Sequence, residues 1–232
     1  MQRELTPTDI IADEAEFMLF NKPAGMNFHC EDGKKGFVVL AQELMQTNEL
    51  YSVHRLDKMT SGLILLAKSS KRANSFAKMF EKREIQKYYI AISTRKPKKK
   101  QGWIKADMAP ARRGSYKLLQ SKENPAITQF LSTSIRPNER LFLLKLHTGK
   151  THQIRVALKS IGASISGDIR YADANEAKKE DRGYLHAYAL NFTLNNKTYT
   201  YKLDPTEGKR FCTDEITTIL HNKYNQPWEL FS

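Results

Sequence analysis

Cysteine is scarce: Cys30 and Cys212 stand far apart, and no Cys-x-x-Cys pair occurs. Such usage suits a reducing compartment and supplies neither a disulfide framework nor the ligand spacing of a structural zinc site. Long apolar runs are missing too. Leu63 to Ala67 is only strand-sized, against the roughly 18 residues needed to cross a bilayer. The stretch from Met1 to Phe17 has no apolar core behind a basic start, so no signal peptide is readable and the cytoplasm is the expected compartment. No membrane partner is expected, and a monomer is the simplest state.

What the chain does carry is a net charge of +13, unevenly spread. Between Lys82 and Lys117 twelve Lys or Arg face two acids, a balance of +10, while the other 26 basic and 23 acidic residues leave only +3. This segment contains Lys96-Pro97-Lys98-Lys99-Lys100 and Arg112-Arg113, with Tyr88, Tyr89, Trp103 and Tyr116 interleaved. Cations at this density neutralise phosphates while aromatics stack on bases, so nucleic acid is the expected partner. Lys98, Lys99, Lys100, Arg112 and Arg113 are the candidate backbone contacts. A solvated loop that only aids solubility would carry the same charges. At 232 residues, 40% hydrophobic and 27% charged, the chain reads as one globular domain over 1–232.

Patterning predicts many strands and few helices. Ile10-Ile11 and Phe17 to Phe20 read as a hairpin around Asp13-Glu14. Phe37, Leu40, Ala41 and Leu44 have helix-face spacing. Tyr51 to Leu56 reads as extended, and Leu63 to Ala67 as a buried strand. Ser69 or Ser70 can cap a helix with an apolar face of Ala73, Phe76, Ala77 and Phe80. Strands are expected over 87–93, 102–108, 126–134 and 141–147. Thr151 can cap a helix presenting Ile154, Ala157, Leu158 and Ile161, with Gly162 placed to end it. Residues 184–194 and 197–203 read as a hairpin around Asn195-Asn196, and 214–223 as a last short helix. No regular strand–helix alternation occurs, so the expected class is α+β with a largely antiparallel sheet.

The most informative string is His54-Arg55-Leu56-Asp57-Lys58-Met59-Thr60-Ser61-Gly62, followed by the apolar run. It puts a carboxylate where a strand gives way to a loop. Arg55 and Lys58 favour the charged form of that carboxylate, Thr60 and Ser61 can bond loop backbone, and Gly62 permits an unusual turn. An Asp that only braces a turn would look the same. His29-Cys30-Glu31 matches the His-x-Glu half of a zinc deaminase, but the Pro-Cys-x-x-Cys half is missing. His54, His152 and His186 read as structural hydrogen-bonders, and no metal ligand is assigned.

The string from His54 to Lys68 resembles the catalytic signature of RNA pseudouridine synthases of the RluA type, which carry His-Arg-Leu-Asp, two variable residues, Thr-Ser-Gly and an apolar strand. Asn21-Lys22-Pro23-Ala24-Gly25-Met26, Lys87-Tyr88-Tyr89-Ile90-Ala91 and His147 to Val156 resemble further motifs of that family in the same order. Gly167-Asp168 with Tyr171, and Leu185-His186-Ala187, resemble its later landmarks. The resemblance runs from about residue 17 to about residue 203, leaving 204–232 as a C-terminal extension. About ten residues precede the first strand, too few for the S4-type RNA-binding domain that many relatives carry. Ala157 stands where the family commonly has His, and Ala172 where Gly is common. These departures bear on substrate choice and leave Asp57, Tyr89 and Arg155 untouched.

The resemblance implies a mixed, mostly antiparallel sheet split by a cleft, with flanking helices. It implies isomerisation of uridine in ribosomal or transfer RNA to pseudouridine, without metal or cofactor. Asp57 matches the catalytic carboxylate, Tyr89 the tyrosine that stacks on the extruded uracil, and Arg155 the basic partner of the aspartate. Arg55 matches the residue that fills the space the base vacates. Lys22, His54, Thr60 and Ile154 fall in the matching motifs as candidate substrate contacts. Two rivals are a non-catalytic RNA-binding protein of the same fold and a uracil-glycosylase-like DNA enzyme. The first would form no pseudouridine, and the second would release free uracil.

Overall fold

The computed structural model describes residues 3–31 and 33–231. Its strands are β1 (Ile10–Asp13), β2 (Phe17–Lys22), β3 (Tyr51–Ser52), β4 (Ser61–Ala67), β5 (Gln86–Ser93), β6 (Gln101–Ala106), β7 (Met108–Pro110), β8 (Tyr116–Leu118), β9 (Ala126–Arg136), β10 (Glu139–Leu146), β11 (Leu185–Leu194) and β12 (Lys197–Lys202). The helices are α1 (Phe37–Leu44), α2 (Ser70–Glu81), α3 (Gln153–Ser160), α4 (Ala174–Ala177) and α5 (Asp214–Asn222). This is the expected α+β class. Ten strands form one sheet in the order β1-β2-β4-β11-β5-β10-β9-β6, with β3 added to β4 and β12 to β11. β7 and β8 form a separate ribbon.

Ladders in the sheet are antiparallel except between β4 and β11, and that parallel junction is two residue pairs long, His186 with Ser61 and Ala187 with Gly62. Beyond it the facing edges diverge. The edge of β11 continues with β12, and that of β4 with β3. The sheet is thus two halves joined at a short seam. Backbone polar groups left in such a gap need partners. His54 supplies one, its Nε2 accepting from Leu65 N at 2.9 Å. Gly62 lets the halves meet: its φ is +103°, and a Cβ there would lie 2.3 Å from Ala187 O.

Apolar clusters cover both faces of the sheet. β4 is buried along its whole length, as its apolar run requires. α2 starts where expected, with Ser69 Oγ accepting from Arg72 N. Its inward face keeps Ala73, Phe76 and Phe80 as expected but takes in Met79 while Ala77 is exposed. Only Tyr51 and Ser52 of the expected 51–56 strand pair with β4, because the chain turns away to bring His54 to the seam. Thr151 does not cap α3; the cap is His152 in a left-handed conformation, φ 57°. The β11–β12 hairpin turns on Asn195 and Asn196, both at positive φ. The segment after β12 is part of the core and no appendage: Ile216, Leu220, Tyr224 and Phe231 are buried, and the Tyr224 hydroxyl donates to Thr133 Oγ1 at 2.9 Å.

Two predictions follow from the seam. Gly62→Ala is expected to lower unfolding free energy by about 3 kcal/mol or more in urea denaturation. Gly25→Ala, at φ +80° but with nothing within 4 Å of the added Cβ, is expected to cost only about 1–2 kcal/mol. Equal losses would show that contact with β11 is not the reason for Gly62. The second concerns pH. Burial pushes His54 and His186 down to about 3. The unfolded chain takes up those two protons near 6.5, so the stability these two rings contribute is full above that value and falls as pH drops toward 3. Between roughly pH 6 and 5 the loss is expected near 2–3 kcal/mol per pH unit. A slope under about 1 kcal/mol per pH unit would mean that the folded rings take protons.

Candidate active site

Asp57 lies in the loop that crosses the seam between β3 and β4. A turn closes around it, Thr60 N donating to Asp57 O at 3.0 Å. The 21–26 string holds the loop from below. Gly25 N donates to Lys58 O at 2.7 Å, and Lys22 Nζ reaches the same oxygen at 3.4 Å as well as Pro23 O and Met26 O. Lys22 is fully buried, which corrects its reading as a substrate contact: its ammonium is spent on three carbonyls and positions the loop. Burial, then Arg182, pulls its pKa down to about 7, against the opposing pull of Asp57 and Glu207.

Arg155 comes to Asp57 from the first turn of α3. Gln153, buried beside it, fixes where that helix starts. Its Oε1 accepts from Lys150 N and Thr148 Oγ1, and its Nε2 donates to Ile127 O and Thr128 Oγ1. Arg155 then binds two carboxylates. Nε and Nη2 grip Asp168 through two bonds of 2.8 Å, and Nη1 donates to Asp57 Oδ2 at 3.0 Å. Burial opposes the charged form of Arg155, but Asp168 and then Asp57 outweigh it and hold the pKa above its ordinary value. Asp168 has no exposure and also accepts from Arg170 N and Tyr171 N. Its turn depends on Gly167, where a Cβ would sit 1.9 Å from Arg182 O.

A second chain of bonds ends near the same carboxylate. Tyr116 N donates to Tyr171 Oη at 2.8 Å, and Tyr171 Oη lies 2.9 Å from His152 Nδ1. Tyr171 Oη and His152 Nδ1 share one hydrogen bond, and the other ring nitrogen, Nε2, stands 3.9 Å from Asp57 Oδ2. Burial lowers the pKa of His152, with Asp57 pulling the other way, so the ring is neutral at pH 7. No hydrogen bond from a described residue reaches Asp57 Oδ1, and the side chain keeps 18% exposure. One carboxylate oxygen is held and the other is open.

Two cavities meet at Asp57. The smaller, about 370 Å³, is walled by Tyr89, Thr60, Ile154, His54 and Lys87. The larger, about 840 Å³, runs past Lys58, Arg170 and Arg182. Arg55, Asp57, His152 and Arg155 border both, and Arg55 is exposed there. The predicted residues Asp57, Tyr89, Arg155, Arg55, Thr60 and Ile154 are thus brought together. Tyr89 is buried, and burial and the charge of Asp57 push its hydroxyl far above the ordinary phenol value. His54 forms part of the wall, but its Nε2 is occupied by Leu65 N, so it serves the seam.

The basic segment is dispersed. Arg112 and Arg113 line neither cavity; Arg170, which lines the larger one, donates to Arg113 O at 2.8 Å. Lys98, Lys99 and Lys100 lie on a loop tied to Ile161 O at the opposite end of α3 from Arg155, away from the cleft. Asp168, Gln153 and Lys87 fall within the matching motifs and His152 reads as a structural hydrogen-bonder, but none of the four is assigned a place in the site from sequence. Lys87 alone had a usable signal, standing two residues before Tyr89 and so on the same strand face. Burial lowers its pKa to about 8. No cluster of three or more His, Cys, Asp or Glu able to hold a metal occurs among the described residues, and no described helix is long and apolar enough to cross a membrane.

Comparison with known proteins bears on this arrangement. The model of the family described as RNA pseudouridylate synthase matches residues 16–160. An RNA pseudouridine synthase of Haemophilus influenzae is 44% identical over 201 residues, which cover 87% of this chain and 89% of that protein. Ribosomal large subunit pseudouridine synthase D of Nitrosomonas europaea is 30% identical over 207 residues, 83% of this chain and 60% of that protein. Among solved structures, human RNA Pseudouridylate Synthase Domain Containing 4 shares the fold with a TM-score of 0.70 at 23% identity, covering 92% of each chain. A cleft built on a loop carboxylate, an arginine that clamps it and a buried tyrosine therefore belongs to a chain that is a member of the RNA pseudouridylate synthase family.

Proposed function

We propose that this enzyme isomerises a uridine within RNA to pseudouridine in the cleft at Asp57, and that ribosomal RNA is its substrate. The observation that carries the reading is the asymmetry of Asp57: Arg155 holds Oδ2 at 3.0 Å while Oδ1 is open to the cleft. The ribosomal substrate is supported by relatives named for the large ribosomal subunit.

In the reaction the bond from ribose C1′ to uracil N1 breaks, the base turns, C5 bonds to C1′, the C5 proton leaves and N1 takes one up. Nothing is oxidised or reduced. The open oxygen of Asp57 can attack C1′ or stabilise positive charge there, and either assists loss of the base. Arg155 keeps that oxygen aimed, because Asp168 prevents the guanidinium from turning. Tyr89 offers its ring to the uracil, and its hydroxyl stays protonated. A uridine must leave its stack to reach this depth, at a cost of a few kcal/mol that is least in looped RNA. Arg55, exposed at the junction of the two cavities, is placed to fill the vacated space.

Asp57→Asn is expected to abolish pseudouridine formation in total RNA from cells lacking the gene, while folding and RNA binding persist. Wild-type turnover by that variant would reject the role of Asp57. Release of free uracil by the wild-type protein would identify a glycosylase instead. Asp168→Ala is expected to cost more stability than Asp57→Ala, about 3–5 kcal/mol, because it strips two of three carboxylate bonds from a buried arginine. Chemical denaturation of the two variants measures this. The reverse order would mean that Asp57 and not Asp168 anchors Arg155.

A further inference from the structure

Of the four aromatics within the basic segment, three are committed. Tyr88 is fully buried against Phe231, Tyr89 lines the cleft, and Tyr116 packs edge-on to His152. Trp103 is different, with 45% of its surface exposed. It stands on β6, directly across from Gln129 on β9, which faces Lys145 on β10. Residues opposite one another across neighbouring strands share a sheet face. Lys105 and His147, each two positions further on, share it as well. The His147 ring lies 4.8 Å from the Trp103 ring, and Lys105 Nζ 4.3 Å.

The charge of this face is uncompensated. The charged groups acting on His147 are Lys145, Arg83, Lys105 and Lys87, all cations. None of the four forms an ion pair with a described carboxylate. The cleft lies on the opposite face of the same sheet, where Lys87 and Leu146 pair with one another and border the smaller cavity. The two faces adjoin at the strand ends, where His147 follows Leu146 directly. By contrast the lysines at 98–100 have no exposed aromatic beside them and sit at the far end of α3.

We propose that this face is a second RNA contact, in which an unpaired base stacks on Trp103 while Arg83, Lys105 and Lys145 neutralise the flanking phosphates of the RNA whose target uridine occupies the cleft. The inference rests on the reading of the cleft as an RNA site. Exposed aromatics framed by cations hold single-stranded nucleic acid in this way, with little dependence on sequence.

The test uses the full chain and a synthetic RNA hairpin with a uridine-rich loop. The chain has two tryptophans, and Trp228 packs against the core, so quenching by RNA reports on Trp103. Quenching is expected on binding. Trp103→Ala should abolish it and weaken Kd roughly five- to a hundredfold, the range given by loss of one stacked base. Trp103→Phe should restore most of the affinity. Lys105→Ala should reduce the salt dependence of binding by about one counterion. Unquenched wild-type fluorescence together with unchanged affinity of Trp103→Ala overturns the proposal. Turnover of total RNA by the wild type is measured separately. Binding that depends on Trp103 without turnover would sink the isomerase reading and leave this face standing, and turnover with binding indifferent to Trp103 would do the reverse.

Discussion

A single guanidinium shared by two carboxylates organises the cleft. Arg155 is nearly enclosed, and a buried cation without partners costs several kcal/mol. Asp168 supplies a two-pronged grip from a site with no solvent exposure, and Asp57 takes the remaining nitrogen. Much of the surrounding structure exists to make this meeting possible. Gln153 fixes the start of α3, Gly167 lets the Asp168 turn press on the backbone of Arg182, and Lys22 with Gly25 holds the loop of Asp57. The ring of Tyr171 covers the guanidinium at 4.9 Å.

The cleft lies where the sheet is least continuous. Two residue pairs join β4 to β11, and the widening gap beyond them would strand backbone polar groups. Histidines answer that need. His54 accepts from Leu65 N, and His186 bridges Ser61 Oγ to Leu203 O. Because Nε2 of His186 donates to a carbonyl, Nδ1 accepts from the Ser61 hydroxyl, and the ring is neutral. A short seam braced by neutral rings lets a charged loop emerge from the middle of a sheet, with rigid strands on either side to hold its geometry.

The basic surplus serves this arrangement unevenly. Arg113 meets Arg170 at the edge of the larger cavity, Lys87 lines the smaller, and the 98–100 lysines stand apart. Net charge brings polyanions to the whole molecule, but only cations next to the seam can act on a strand entering it.

Periodicity and turn chemistry in the chain determined most of the strands, the Ser69 cap, the Asn195-Asn196 turn and the last helix, because these depend on neighbours a few residues away. The string at 54–62 put a carboxylate where a strand gives way to a loop, and resemblance marked Asp57, Tyr89 and Arg155 as site residues. Tertiary structure alone decided the rest. Lys22 in sequence is a lysine beside a motif; only the fold shows it buried on carbonyls. α2 turns Met79 inward and Ala77 outward because the sheet beneath sets the rotation of the helix. Asp57 and Arg155 are 98 residues apart, and which carboxylate meets which arginine depends on ladder register and on where α3 begins. Residue spacing carries local geometry, whereas pairing across a sheet is settled by packing of the whole chain.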